Sequence, residues 1–199
     1  MTNIIMIGPP CSGKGTHSKI ISNHFGLAHI STGDLFRSEI VKETPIGMMA
    51  KTLIDFGNFI PDSITMKILY QHIQKNPSSK GYLLDGFPRT LPQAELFDKY
   101  LTKHHLNIDL VLYLHAPEEE LLTRMEKRSS SEKRADDNAQ IFINRIKNYY
   151  KNTHILTDYY LAQGKLASIS TNRCIEEVSE QVRQVVNKII QEKSSNFAQ

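Results

Sequence analysis

Gly8-Pro9-Pro10-Cys11-Ser12-Gly13-Lys14 sets two glycines five residues apart, the second directly before a lysine. Glycines let backbone N–H groups close around an anion, and the lysine adds a full positive charge. The run follows the apolar stretch Ile4–Ile7 and opens a helical pattern at Lys14. Strand, loop and helix N-terminus therefore meet at one phosphate-sized site. The bland alternative, a glycine-rich turn beside a solvated lysine, does not call for that context. The residue after Lys14 is Gly15, so the hydroxyl common in such loops falls one position later, at Thr16. Cys11 and His17 lie in or beside the loop and read as structural, because a reactive thiol needs a polarising neighbour and none is visible.

A second constellation is Gly81-Tyr82-Leu83-Leu84-Asp85-Gly86-Phe87-Pro88-Arg89-Thr90, an apolar strand ending in a carboxylate. In phosphate-loop proteins an Asp at that place positions magnesium, directly or through its waters. Gly86 and Pro88 force a turn that presents Arg89 at the C-terminal edge of a sheet, where open α/β folds bind ligands. Taken alone, the segment could equally be a strand, a turn and a surface arginine.

The elements that must position these residues alternate. Asn3–Ile7, Leu27–Ile30, Gly81–Leu84, Leu110–Leu114 and Leu166–Ile169 read as strands. Helical patterns start near Lys14, Pro61, Leu91, Pro117 and Asp136, and another closes the chain over Cys174–Gln191. Glu118-Glu119-Glu120 suits a helix start after Pro117. Parallel strands need crossover helices, so the alternation predicts an α/β fold with a parallel sheet covered on both faces. Two stretches break the rhythm. Ser31–Ile60 carries two helical patterns divided at Thr44-Pro45, and Lys127–Asp137 is short, polar and serine-rich. Both read as lobes inserted at loops. Met48-Met49 and Val178–Ile190 read as core faces, His104 and His105 as solvated, and the tail Ser194–Gln199 as frayed.

Composition narrows the partners. The 199 residues include 40% hydrophobic and 23% charged side chains, with a net charge of +3. No apolar run approaches the roughly 18–20 residues that span a bilayer, and the N-terminal stretch is too short for a signal peptide. Cys11 and Cys174 have no CxxC spacing, so neither a disulfide framework nor a zinc site is expected. A cytoplasmic protein is expected. The arginines sit singly inside motifs, which suits a pocket for phosphates better than a stripe along nucleic acid.

Gly8–Thr16, Ser31-Thr32-Gly33-Asp34, Asp85–Arg89 and Arg134-Ala135-Asp136-Asp137 occur in the order and spacing of the adenylate kinase family of nucleoside monophosphate kinases, which the chain resembles from residue 3 to about 190. The resemblance implies a phosphate-loop five-stranded parallel sheet flanked by helices, in a single kinase domain. The core would be 1–30, 61–126 and 138–199, with an acceptor-binding lobe at 31–60 and a short lid at 127–137. It implies that Cys11, Ser12, Gly13, Lys14, Gly15 and Thr16 bind ATP. Arg124 would stack on the ATP base, Arg173 would lie near it, and Arg128 would reach the phosphates from the lid. On the AMP side, Thr32 and Gln93 would meet the base and Asn58, Phe59 and Ile60 would wall its pocket. Arg37 and Gly86, Phe87, Pro88 and Arg89 would hold the phosphate. Arg134 and Arg145 would meet the transferring group. Lys14, Arg89, Arg128, Arg134 and Arg145 form the implied catalytic set. Magnesium would come with ATP, held through water by Asp85 and joined by Thr16. The partners would be ATP, AMP and ADP, with no nucleic acid and no membrane, and a monomer is expected.

The residues agree with that chemistry, because phosphoryl transfer needs alignment, exclusion of water and fixed cations rather than a general base. Two rivals remain. A UMP/CMP kinase on this scaffold would tend to carry Ala at position 32 and Asn at positions 90 and 93, where this chain has Thr32, Thr90 and Gln93. A catalytically silent nucleotide-binding module would not need all the matched cations. One stretch departs from the family: Ser170-Thr171-Asn172-Arg173-Cys174 stands where relatives carry an Asp-Gly-Thr-Lys-Pro-like turn.

Overall fold

Five short strands build one parallel sheet in the computed structural model, which describes residues 1–132 and 139–196. They are β1 (Ile4–Ile7), β2 (Ala28–Ser31), β3 (Tyr82–Asp85), β4 (Leu110–His115) and β5 (Leu166–Ser170), in the spatial order β2-β3-β1-β4-β5. β1, β3 and β4 fall on apolar runs because the middle of a parallel sheet is covered on both faces, while the edge strands β2 and β5 mix polar and apolar residues and bury one position each. β1, the central strand, is buried at every position. Side chains on one face (Ile5, Ile7, Leu84, Val111) join Phe87, Phe97 and Tyr160 in one core. Those on the other (Ile4, Met6, Leu83, Leu112) join Ile21, Val178, Val182 and Val186.

The helices are α1 (Lys14–Phe25), α2 (Thr32–Val41), α3 (Pro45–Asp55), α4 (Asp62–Lys75), α5 (Leu91–Lys103), α6 (Glu118–Glu132), α7 (Ala139–Asn148), α8 (Ile155–Ala162) and α9 (Ile175–Asn196). Their starts are written locally. Ser31, Thr44 and Thr90 each accept a backbone N–H of the following first turn, and Pro45 occupies the first turn of α3. These contacts satisfy donors that a helix N-terminus otherwise leaves open.

Three expectations need correction. The helical pattern expected from Asp136 onward is not one element: α7 widens into a π-helical turn at Tyr149–Thr153 before α8. Met48 is 52% exposed, and only Met49 packs into the small core of Phe36, Ala50 and Ile60. Neighbours on a helix point about 100° apart, so the pair cannot share a narrow apolar stripe. The tail continues helical through Asn196 rather than fraying from Ser194. The segment expected as a lid begins as the end of α6, and its remainder, with Arg134, lies outside the described residues. Among the described residues, no helix is long and apolar enough to cross a membrane.

The α2–α3 hairpin depends on one close approach. A Cβ on Gly47 would stand 2.1 Å from the Glu39 carbonyl oxygen, and Thr44 binds the Glu39 carboxylate at 2.8 Å beside it. Gly47→Ala must therefore push the two helices apart, with an expected cost of about 1–3 kcal/mol for overpacking. Thermal melting should show the loss.

Candidate functional site

The registers of the strands determine what meets at their C-terminal ends. Ser31 lies opposite Asp85, and Met6 opposite Asp85 on the other side. The loops after β1, β2 and β3 therefore open at the same level, where the connections diverge from the central strand. Ligands of open α/β sheets bind in this crevice. An open cleft of about 850 Å³ fills it.

The β1–α1 loop forms its floor. Gly8 has φ +151, and a Cβ there would come within 2.1 Å of the Leu114 carbonyl oxygen, so only glycine lets the loop leave β1 beside β4. Gly13, at φ 86, turns the chain into α1. Lys14 folds back so that its Nζ donates to the carbonyls of Gly8 at 2.8 Å and Pro9 at 2.7 Å. Burial lowers the Lys14 pKa from 10.5 to about 8; the Asp85 carboxylate opposes that shift, while Arg89 and Arg145 add to it. Ser12 is wholly buried, and its hydroxyl has no hydrogen-bond partner among the described residues. His17 has the structural role expected of it. Its Nδ1 lies 3.0 Å from the Ser179 hydroxyl of α9, and burial holds its pKa below the ordinary value.

Asp85 ends β3 and leans toward the first turn of α1. A Cβ on Gly15 would sit 3.6 Å from its Oδ2, an ordinary contact that places the carboxylate beside the loop. His29 Nε2 lies 3.9 Å from the same oxygen. Thr16 and Asp85 are hard oxygen donors, and both line the cleft or its rim. Among the described residues there is no cluster of three metal-ligating side chains. A single carboxylate suits magnesium that keeps most of its waters and takes other ligands from phosphates.

The β3–α5 loop forms the facing wall. Because β2 and β3 end in register, Thr32 reaches the Gly86 carbonyl, donating from Oγ1 at 2.8 Å. Arg89 Nε donates to that same carbonyl at 2.8 Å, and its guanidinium lies 5.6 Å from the Phe59 ring centroid. The Arg89 backbone is held at both ends. Its N–H donates to Gln93 Oε1 at 2.7 Å, and its carbonyl accepts Thr153 Oγ1 at 2.8 Å. The π-helical turn brings Thr153 there, in keeping with the frequency of such bulges at functional sites. Gly86, Pro88, Arg89 and Gln93 line the cleft, whereas Phe87 is fully buried and meets Phe97 edge-on in the core.

From the hairpin side, Thr32, Arg37, Asn58, Phe59 and Ile60 line the cleft. Arg37 is paired with Asp34 one turn earlier. The far end carries Arg124, Arg128, Arg145 and Arg173, all on the cleft wall. Arg124 is clamped: Nε donates to Glu120 at 2.7 Å, Nη1 to Thr171 Oγ1 at 3.1 Å and Nη2 to the Thr171 carbonyl at 2.6 Å. Thr171, in the departing turn, is buried and hydrogen-bonds back to the His115 carbonyl. Its side chain thus fixes a geometry that a glycine at this position would leave loose.

The structure brings Cys11, Gly13, Lys14, Gly15 and Thr16, the hairpin residues, Arg89, Gln93, Arg124, Arg128, Arg145 and Arg173 to one cleft, whereas the side chains of Ser12 and Phe87 are buried and do not line it. Sequence reasoning missed the supporting residues Asp62, Thr153 and Thr171. Each binds a partner distant in the chain, so no local motif announces it.

A family model of adenylate kinase matches residues 6–165. An adenylate kinase of Phocaeicola vulgatus is 44% identical over 169 residues, covering 85% of this chain and 89% of that protein. One of Bacteroides fragilis is 41% identical over 189 residues, covering 95% of this chain and 100% of its own length. One of Cyanothece sp. is 37% identical over 193 residues, covering 97% and 99%. A cationic cleft at the switch point of a parallel sheet, and likeness of this extent, lead to one conclusion: the chain belongs to the adenylate kinase family.

Proposed function

We infer that the protein is an adenylate kinase, an ATP:AMP phosphotransferase that converts ATP and AMP reversibly into two ADP. One observation carries the reading: the phosphate-loop lysine and six arginines from five other segments line one cleft. Two anionic nucleotides repel each other, and a site that joins them must offset that charge with fixed cations.

In this reading ATP lies along the β1–α1 loop, with residues Cys11 to Thr16 around its phosphates and Lys14 on the transferring end. Arg124, held flat by Glu120 and Thr171, offers a planar face for the ATP base, with Arg173 near it. AMP lies under the α2–α3 hairpin. Its base would face Gln93 and Thr32 between Asn58, Phe59 and Ile60, and its phosphate would lie on Arg37 and Arg89. The AMP phosphate oxygen attacks the terminal phosphorus of ATP, the bond to the bridging oxygen breaks, and ADP leaves. The attacking oxygen is already anionic, so no residue has to remove a proton. Arg128, Arg134 and Arg145 meet the charge spread over the transferred group. Asp85 and Thr16 are the residues fitted to magnesium, which when bound draws charge from the phosphates. Residues 31–60 and 127–137 are assigned as the two flaps that exclude water, without which the site would hydrolyse ATP.

A coupled assay with AMP, UMP, CMP and GMP as acceptors tests the reading. Efficient turnover of AMP, with the pyrimidine monophosphates at least about tenfold poorer, is expected from a base site whose polar groups go unpaired with the wrong base. A pyrimidine preference would replace the assignment by a UMP/CMP kinase. Nucleotide binding without transfer to any acceptor would point to a silent module.

A further inference from the structure

Gln93 is 2% exposed, and its carboxamide is already engaged on two sides by the chain itself. Its Nε2 donates to Asp62 Oδ1 at 2.7 Å, and its Oε1 accepts the Arg89 N–H at 2.7 Å. The chemistry of these partners is one-directional. A carboxylate only accepts, and a backbone N–H only donates. A glutamine amide rotated by 180° would set its oxygen against the Asp62 carboxylate and its NH2 against the Arg89 N–H, breaking both bonds. Asp62 is itself fixed. Its Oδ2 accepts the Thr90 hydroxyl at 3.0 Å, and that hydroxyl caps α5 by accepting the Gln93 N–H at 3.3 Å. Asp62 stands behind Gln93 and is not part of the cleft wall, whereas Gln93 is.

A carboxamide has two acceptor lone pairs and two donor hydrogens. With one of each spent on the chain, one of each is left for a ligand, and their relative positions are set. A 6-aminopurine offers a donor at the 6-position and an acceptor at N1. A 6-oxopurine offers the reverse, an acceptor at the 6-position and a donor at N1. A glutamine free to rotate serves either base, while a locked one serves only one polarity.

We propose that Asp62 is a specificity-determining positioning residue that locks the Gln93 amide in the orientation pairing with a 6-aminopurine and rejecting a 6-oxopurine. The inference rests on the reading of Gln93 as the group that faces the acceptor base. Asp62 touches no substrate and acts through Gln93.

The test compares kcat/KM for AMP and for inosine monophosphate, with saturating ATP, in wild type, Asp62→Ala, Asp62→Ser and Gln93→Ala. The two bases differ in polarity at the recognised edge and hardly in shape. Removing the carboxylate should lower the AMP-to-IMP ratio by about ten- to a hundredfold, with efficiency toward IMP held or raised while that toward AMP falls. A gain toward IMP is what a loss of packing alone cannot produce. If both efficiencies fall by the same factor, or neither changes, the lock is overturned. Asp62→Ser keeps a residue suited to a helix start while withdrawing the carboxylate. It carries the same expectation and the same refutation should Asp62→Ala not fold. Gln93→Ala separates the two layers of the argument. A ratio unaffected by Gln93→Ala overturns the base-reading role itself. A ratio that collapses in Gln93→Ala but survives in Asp62→Ser overturns only the lock.

Discussion

Replacing Lys14 with Met should reduce kcat by about 10³-fold or more, the scale on which fixed cations and oxyanion donors act in transfer reactions. Transition-state charge is the reason: the ammonium has no neutral substitute, and methionine keeps the stem but not the donor. The variant should still fold. The Lys14 pKa of about 8, down from 10.5, means that the native wild-type cleft holds this charge at a cost, chiefly desolvation. The unfolded chain binds the extra proton between those values, so this group makes stability rise with pH from about 8 to 10.5 and penalises the native state below that window. Lys14→Met removes the penalty, and at pH 7 it should melt no lower than wild type. Catalysis follows the opposite trend. In wild type, kcat/KM for ATP should fall with rising pH above about 8 as the free enzyme loses this proton. Bound phosphate restores the charge, so kcat at saturating ATP should stay level to higher pH. Near-normal turnover in folded Lys14→Met, or a KM effect without a kcat effect, would sink the assignment.

The second large effect is expected at Arg89. Arg89→Lys keeps the charge but loses the planar fork, the Nε bond to the Gly86 carbonyl and the stacking against Phe59. A lysine there is a mobile point charge, so kcat/KM for AMP should drop by about 10²- to 10³-fold. The KM for ATP should change little if ATP lies on the β1–α1 loop as proposed, since that loop is untouched. The backbone bonds to Gln93 and Thr153 do not depend on the side chain, so the loop should persist and thermal stability with it. Equal losses for both nucleotides would show that Arg89 shapes the whole cleft rather than the acceptor side.

What the sequence revealed and what it hid follow from the range of the interactions involved. The inner strands were legible because burial on both faces makes them apolar runs, and the β1–α1 loop because its geometry is local. The π-helical turn was not, since Tyr149-Tyr150-Lys151-Asn152-Thr153 has no glycine or proline to mark a change of pitch. Its purpose appears only when Thr153 is found on the Arg89 carbonyl, 64 residues away in the chain. Asp62, in the first turn of α4, carries no motif of its own. Its value depends on Gln93 and Thr90, which the fold brings to it from the next helix. The turn from Ser170 to Cys174 stood out for its missing glycine and proline. Only the structure supplies the compensation, a threonine whose side chain holds Arg124.

The resting position of Lys14, donating to two carbonyls of its own loop, bears on what can inhibit the enzyme. The lysine is not waiting unsatisfied for a ligand; recruiting it means breaking two well-formed bonds to neutral oxygens. An anionic oxygen repays that exchange because it adds the attraction between two full charges to the hydrogen bond. A neutral one does not. Nucleosides and uncharged base analogues should therefore leave Lys14 folded onto the loop, however well their rings fit, and should compete poorly with ATP. A phosphonate or diphosphate mimic should draw the lysine out.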